Sequence, residues 1–275
     1  MSKPNDDSGT GNGIASISFN DGCRAASVSY IAHTGDYMST LNYKLRYLRS
    51  RSRLTEQETL LRQAAQELKL REAEILNRLA RAANHHDNIT GLHLKRMAKF
   101  SAALGRHCGL TEDEAETLEL AAPMHDIGKI GIPDAIIRRN GQLSHEQMRI
   151  MQGHTRIGYE ILKDSSSHCL QVAAIIALHH HEKFDGSGYP SGLRGEAIPL
   201  AARIVALADV FDALTSTRSY KDAWKWDQAV AYIVGEKGKH FVPSLVDIFV
   251  AHIDDMAEIK NSLSDLPESV TASAA

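Results

Sequence analysis

Histidine and aspartate residues recur at the ends and on the apolar faces of the predicted helices. His125 and Asp126 are adjacent, His154 lies on an apolar helix face, and the consecutive histidines 179–181 end an apolar helix. Burying so many polar groups is costly unless each is satisfied. A bound cation would satisfy them together, and imidazole with carboxylate but no thiolate suits Fe, Mn, Zn or Ni.

Two further candidate ligands lie on other predicted helices. Asp209 follows Val205 by four residues and so projects from a core-facing stripe, and His93 lies on a predicted helix, three residues before Arg96. The donors now exceed what one tetrahedral ion needs. Two divalent ions bridged by one carboxylate are the simplest arrangement, and Asp126 is the expected bridge.

Two neighbouring metal ions indicate hydrolysis of a phosphate ester. In such a centre a bridging water loses a proton to become hydroxide, and the ions neutralise charge on the phosphoryl oxygens. Lys129 follows Asp126 by three residues, so its ammonium could bind a phosphate oxygen or protonate the leaving group. The alternative is an exposed lysine at a helix end.

Helices must position these groups, and the longest predicted helix precedes them. Residues 41–82 contain no Gly or Pro and are rich in helix-forming residues. Four apolar residues recur every seven positions: Leu54, Leu61, Leu68 and Ile75. The companion series of the heptad is only half apolar. Two interpretations stay open, an amphipathic helix that packs on its own domain and a parallel coiled coil that forms a homodimer.

After residue 40 the chain has no long stretch in which apolar and polar residues alternate, as they do in strands. This predicts an all-α class. Capping boxes at Thr111 and Ser144 open helices predicted over 111–127 and 144–162. Further helices are predicted over 169–182 and 200–214, with a Gly-rich loop between them. Before residue 40, segments 14–19 and 26–31 could form two short strands.

The composition is that of a globular protein and excludes several functions. Of 275 residues, 43% are hydrophobic, and the formal net charge is −3, which argues against nucleic acid or a membrane surface as the main partner. Three widely spaced cysteines favour a reducing compartment. The N-terminus resembles no secretory signal, and no apolar run is long enough to span a bilayer. A cytoplasmic location is therefore expected.

Several ordered motifs resemble the HD-GYP subgroup of the HD phosphohydrolase superfamily. They include His125-Asp126-Ile-Gly-Lys129, His180-His181-Glu182 and Asp185-Gly-Ser-Gly-Tyr189-Pro190. The resemblance extends over residues 71–250 and also covers Thr90-Gly91-Leu-His93, Ala208-Asp209 and Arg218-Ser-Tyr-Lys221. An HD pair alone would be a weak signal, but the ordered set is specific.

The resemblance implies a helical bundle around a metal centre and hydrolysis of cyclic di-GMP, a bacterial second messenger, to pGpG or on to GMP. Diguanylate cyclases or other signalling proteins are the implied partners. The domain organisation that follows is a short N-terminal region over 1–40, the remnant of a sensory or receiver domain, a linker helix over 41–82, a catalytic domain over 71–260 and a flexible tail over 261–275.

The resemblance also implies a role for each matching residue. The implied metal ligands are His93, His125, Asp126, His154, His180, His181 and Asp209. The implied substrate contacts are Lys129, Arg218 and Lys221 for phosphate and Tyr189 for the nucleotide. His179 is expected to lie behind the ligands or at the surface. The remaining histidines are expected to be structural or exposed: His107, His145, His168, His240 and His252.

One departure from the family pattern concerns the number of metal ions. Members that hold a third metal carry Glu immediately before the Thr-Gly pair, whereas this chain carries Ile89 there. Two ions are therefore expected, with His85 or His86 the only nearby replacements. The lost Glu also leaves open a slow cyclic-dinucleotide sensor that retains its metals, and the substrate could be another cyclic dinucleotide.

Overall fold

The computed structural model describes residues 14–21, 24–31, 37–83, 91–139, 141–217 and 222–263, with side chains from residue 41 onward. It divides into two compact units, residues 1–69 and 70–275. In the first unit, strands β1 (Ile14–Asp21) and β2 (Arg24–Ile31) pair antiparallel, with Ile14 opposite Ile31. These strands include both segments that the sequence predicted as extended.

The long predicted helix forms as α1 (Tyr37–Ala83), which runs from the first unit into the second. The apolar residues of its heptad series are exposed: Leu54 by 56%, Leu61 by 70%, Leu68 by 67% and Ile75 by 58%. Its last turns instead bury Leu76, Ala80 and Ala83 in the core of the second unit. Helix α1 therefore has a packed C-terminal end and an exposed apolar stripe before it.

The second unit is a bundle of helices, and the predicted all-α class is confirmed. The helices are α2 (Gly91–His107), α3 (Glu112–Ala121), α4 (Asp134–Ile137), α5 (His145–Gln152), α6 (His154–Leu162), α7 (His168–His179), α8 (Leu200–Thr215), α9 (Trp226–Gly235), α10 (Pro243–Ala251) and α11 (Ile253–Ser262). The core lies where α2, α3, α7 and α8 pack, around fully buried Phe100 and Phe211.

Both capping boxes form, but two predicted helices end early and one is interrupted. The helix predicted over 169–182 ends at His179, so His180 and His181 lie beyond it. Helix α3 stops at Ala121 because Pro123 follows, and the chain continues in short 3-10 turns over Ala122–Met124 and Ile127–Gly131. The helix predicted from Ser144 is broken at Gly153 into α5 and α6. Within the described ranges, no helix combines the length and apolar character needed to cross a membrane.

Gly128 allows the 3-10 turn after Asp126 to lie directly against helix α6. A Cβ at position 128 would stand 1.9 Å from the carbonyl oxygen of His154 and 2.4 Å from the amide nitrogen of Gly158. Both atoms belong to the backbone, so the clash cannot be relieved by a side-chain rotation. Only glycine therefore permits this approach.

We expect Gly128→Ala to lower the free energy of unfolding by about 1–3 kcal/mol or more, because the added methyl group overpacks a backbone contact. For a unit of this size that corresponds to a lower melting temperature by roughly 2–4 °C per kcal/mol. Thermal unfolding followed by circular dichroism measures the change. Gly235→Ala is the matched control, since its Cβ would meet no atom within 4 Å; equal melting temperatures for both variants would contradict the expectation.

Candidate metal centre

The His125–Asp126 pair lies between two 3-10 turns and is buried. The sequence predicted these residues at the C-terminal end of a helix, but that helix has already ended at Ala121. The side chain of His125 is 1% exposed and that of Asp126 is 8% exposed. The 3-10 turns on either side thus hold both groups in the interior, against α6.

Four of the predicted ligands form a first cluster. Asp126, His154, His180 and His181 each offer one ligand atom, and these atoms all lie within 4.8 Å of one another. His154 opens α6, whereas His180 and His181 follow the end of α7. Three separate segments of the chain therefore bring imidazole and carboxylate groups to one point.

The other three predicted ligands form a second cluster. His93 on α2, His125 and Asp209 on α8 also offer ligand atoms within 4.8 Å of one another. His93 Nε2 is 3.4 Å from Asp209 Oδ1, and the side chain of Asp209 keeps 22% of its surface exposed. This partial exposure leaves one side of the second cluster open to solvent.

The two oxygens of Asp126 face different clusters. Oδ1 lies 3.3 Å from His154 Nε2 and 3.7 Å from His180 Nε2, both in the first cluster. Oδ2 lies 3.1 Å from His125 Nε2, in the second cluster. A carboxylate placed in this way can ligate one ion with each oxygen, which is the geometry expected of a bridge.

Hydrogen bonds fix which nitrogen of each imidazole faces inward. Nδ1 of His125 lies 3.0 Å from the Ala122 carbonyl oxygen, and Nδ1 of His154 lies 2.7 Å from that of Met151. His180 Nδ1 lies 3.1 Å from the Ile176 carbonyl. A carbonyl can only accept, so each Nδ1 carries the proton and each Nε2 presents a lone pair.

Inward lone pairs fit metal binding better than a network of hydrogen bonds. Nε2 of His154 and Nε2 of His180 lie 3.4 Å apart, and neither has a proton to donate in this tautomer. Two ligands of a tetrahedral ion with bonds of about 2.1 Å are separated by about 3.4 Å. Among the described residues, buried Asp126 Oδ1 also has no hydrogen-bond partner. The donor set therefore fits divalent metal ions.

The charges of the centre shift several pKa values. Burial lowers the pKa of His93, but hydrogen bonds and charges from Asp209 and Asp212 outweigh it and raise this pKa to about 9. Burial raises the pKa of Asp126, but the charge of Lys129 and contacts with the neighbouring imidazoles bring it well below its usual range. Burial holds the pKa of His181 well below normal, and the neighbouring His180 adds to the effect. Asp126 is thus ionised and His181 neutral, the forms that bind metal.

Lys129 lies beside the Asp126 carboxylate, as its spacing from Asp126 predicted. Its Nζ is 2.8 Å from Asp126 Oδ2, and its side chain is 17% exposed. Lys129 is therefore not a solvated lysine at a helix end. Its ammonium balances the Asp126 carboxylate and remains within reach of an anionic ligand.

A second carboxylate supports His93, and sequence reasoning assigned it no role. Asp212 is fully buried, and its Oδ2 accepts a hydrogen bond of 2.8 Å from His93 Nδ1. Buried Arg96 donates to both Asp212 oxygens, at 2.6 and 3.2 Å. The sequence feature that could have identified Asp212 is its spacing, since it lies one helical turn after Asp209 on α8.

The α7–α8 loop is fixed by a buried glutamate. Glu182 accepts hydrogen bonds from the backbone N–H groups of Ser191 at 2.8 Å and Leu193 at 3.0 Å. Tyr189, in this loop, stacks on His181 with ring centroids 4.7 Å apart. His179 belongs to neither cluster, and its Nδ1 lies 3.8 Å from Glu182 Oε1. The loop therefore presents an aromatic ring beside the first cluster.

Some predicted residues cannot be placed. Arg218 and Lys221, predicted to contact phosphate, lie outside the described residues. The same holds for Ile89, on which the expectation of no third metal depends, and for His85 and His86.

Comparisons with known proteins identify the family to which the chain is similar. A family model described as HD domain matches residues 62–245. The chain is 51% identical, over 66% of its length, to the cyclic di-GMP phosphodiesterase response regulator RpfG of Xanthomonas campestris, of which it covers 48%. It is 44% identical, over 70% of its length, to the 3'3'-cGAMP-specific phosphodiesterase 2 of Vibrio cholerae, of which it covers 37%. The chain thus spans about half or less of these relatives.

A solved structure shares the fold. The crystal structure of a cyclic GMP-AMP specific phosphodiesterase from V. cholerae superposes with a TM-score of 0.53 at 21% identity, over 70% of this chain and 50% of that one. The family match covers more than half of the chain and includes every residue of both clusters. The chain therefore belongs to the HD domain family, and its resemblance to the HD-GYP subgroup is confirmed.

Proposed function

We propose that this protein is a metal-dependent phosphodiesterase that hydrolyses cyclic di-GMP to pGpG, with GMP as a further product. The observation that carries the proposal is the placement of Asp126, whose two oxygens face two separate groups of imidazoles. Paired metal sites a few ångströms apart are typical of phosphodiester hydrolysis. The names of the relatives support a cyclic dinucleotide as the substrate.

The proposed centre holds two divalent ions of Fe, Mn, Ni or Zn. Bound ions would supply an activated water and offset negative charge on the phosphoryl oxygens. Asp126 would contribute one oxygen to each site, and His154, His180 and His181 would complete the first. The second would be completed by the remaining candidate ligands: His93, His125 and Asp209. We assign no third ion, because Ile89 offers no donor atom.

Residues around the clusters would hold the substrate. Lys129 is positioned to bind a phosphate oxygen or to protonate the leaving oxygen, since its ammonium is charged and partly exposed. Tyr189 presents a ring for a guanine base, and the Glu182 hydrogen bonds keep its loop in place. Arg218 and Lys221 complete the proposed phosphate contacts.

Product analysis tests the function. Protein purified anaerobically and loaded with Mn²⁺ or Fe²⁺ is incubated with cyclic di-GMP and, in parallel, with 3'3'-cGAMP, and the products are separated by chromatography. We expect the loaded protein to form pGpG from cyclic di-GMP. Protein whose metals have been removed by a chelator should form none. Binding of cyclic di-GMP without turnover would identify a sensor instead, and turnover of 3'3'-cGAMP alone would reassign the substrate.

We also propose that α1 forms a homodimer through its exposed apolar stripe. Leu54, Leu61 and Leu68 lie seven residues apart and are more than half exposed, as expected of a coiled-coil seam that meets a second copy. A dimer would bury these side chains.

Leu61→Lys should therefore shift the protein from dimer to monomer in light scattering at micromolar concentration. Gln63→Lys, roughly on the opposite side of the helix, adds the same charge and should leave the dimer intact. A monomeric wild type, or equal masses for both variants, would refute the coiled-coil interface.

A further inference from the structure

A third group of potential metal ligands lies at the surface, apart from the metal centre. His107 is in the last turn of α2, His252 joins α10 to α11, and Asp255 is in the first turn of α11. One ligand atom from each lies within 4.8 Å of the others. No sequence motif links these residues, because they come together only when α11 packs on α2.

The contacts within this group are close and specific. His107 Nε2 lies 2.7 Å from Asp255 Oδ2. The rings of His107 and His252 are stacked, with centroids 3.5 Å apart and planes 11° from parallel. Two imidazoles and one carboxylate therefore lie around one point, within reach of a single ion.

The local electrostatics and the donor types favour a transition metal. The C-terminal end of α2 carries the negative end of the helix dipole, which attracts cations. Two imidazoles and one carboxylate suit Zn²⁺, Ni²⁺ or Co²⁺ rather than Mg²⁺ or Ca²⁺. The side chains of His107 and Asp255 are 26% and 50% exposed. This exposure lets one ring turn out of the stack to direct its lone pair, and lets water complete the coordination.

We propose that His107, His252 and Asp255 form a surface site for a first-row divalent transition metal that clamps α11 to the end of α2. Helix α11 also carries Lys260, whose Nζ lies 3.3 Å from Asp212 Oδ1 and 2.6 Å from Ser216 Oγ. Asp212 in turn holds ligand His93. An ion at the surface site thus stabilises the helix that supports one face of the metal centre.

Metal stoichiometry tests the surface site. Protein already loaded with Mn²⁺ is titrated with Zn²⁺, and with Co²⁺ for its visible absorption, and bound metal is measured by equilibrium dialysis and elemental analysis. We expect the wild type to bind one more ion per chain than His252→Ala or Asp255→Asn, and to melt at a higher temperature when Zn²⁺ is added. His145→Ala, an exposed histidine elsewhere, should behave as the wild type.

The variants also separate this site from an additional ion in the centre. Removal of one of three donors should weaken binding at least about tenfold. An extra ion that persists with unchanged affinity in both His252→Ala and Asp255→Asn would lie elsewhere and would overturn the proposal. Saturation of the wild type without any extra ion would do the same. Circular dichroism of both variants confirms that the comparison is made on folded protein.

Discussion

Asp126→Ala should remove both bound metal and phosphodiesterase activity while leaving the helical fold intact. Asp126 is the only described residue whose side-chain oxygens face both clusters, so alanine deprives each proposed ion of a ligand. Loss of an outer-shell partner of a metal ligand costs about 10–100-fold in affinity or activity. Loss of a shared ligand should cost more, so we expect activity to fall at least about 100-fold.

The measurements are metal content by elemental analysis, turnover of cyclic di-GMP and the far-ultraviolet circular dichroism spectrum. Asp134→Ala is the matched control, because Asp134 is an exposed aspartate on short helix α4. It should keep metal and activity. An Asp126→Ala protein that keeps two ions and full turnover would eliminate the two-metal mechanism.

The sequence was sufficient to predict the helical class and the groups that the folded chain brings together. The His125–Asp126 pair is adjacent in the chain, and the family resemblance selected His180 and His181 among three consecutive histidines. The capping boxes at Thr111 and Ser144 likewise act within four residues and form as predicted. Signals of this kind depend on short-range stereochemistry and are readable without tertiary structure.

Contacts between distant segments could not be predicted in this way. Asp212 and His93 are 119 residues apart, and nothing in either local sequence connects them. The contact of Gly128 with the backbone of α6 also depends on tertiary packing, because its partners His154 and Gly158 lie on a separate helix. The surface group of His107, His252 and Asp255 is a third example, since these histidines looked incidental in the sequence.

Asp212→Asn tests the buried network behind His93 and should be strongly destabilising. Both oxygens of Asp212 accept from donors, namely Arg96 at 2.6 Å on Oδ1 and His93 at 2.8 Å on Oδ2. Whichever way an asparagine amide turns, its NH₂ group faces one of these donors, and buried Arg96 loses its counter-charge. Breaking a buried ion pair costs about 3–5 kcal/mol, or roughly 10 °C in melting temperature for a unit of this size.

Asp247→Asn provides the control for the loss of one charge. Asp247 pairs with Lys237 on the surface, where its side chain is 67% exposed, and exposed pairs contribute about 0–1 kcal/mol. Its melting temperature should therefore change little. Equal stability of the two variants would mean that the buried network around Asp212 contributes no more than a surface pair.

Two further readouts distinguish a positioning role from a structural one. Asp212→Asn should weaken one of the two metal sites by about 10–100-fold in chelator competition, because His93 loses its charged partner, while the site built from His154, His180 and His181 keeps its affinity.

Burial raises the pKa of Asp212, but hydrogen bonds from His93 and Arg96 bring it far below its ordinary value of 3.8. The carboxylate therefore stabilises the fold above pH 3.8, and this contribution is lost as the pH falls towards its folded-state pKa. The stability difference from the wild type should thus be full at pH 5–7 and shrink below about pH 4; a difference that is independent of pH would place the defect in packing rather than in the lost charge.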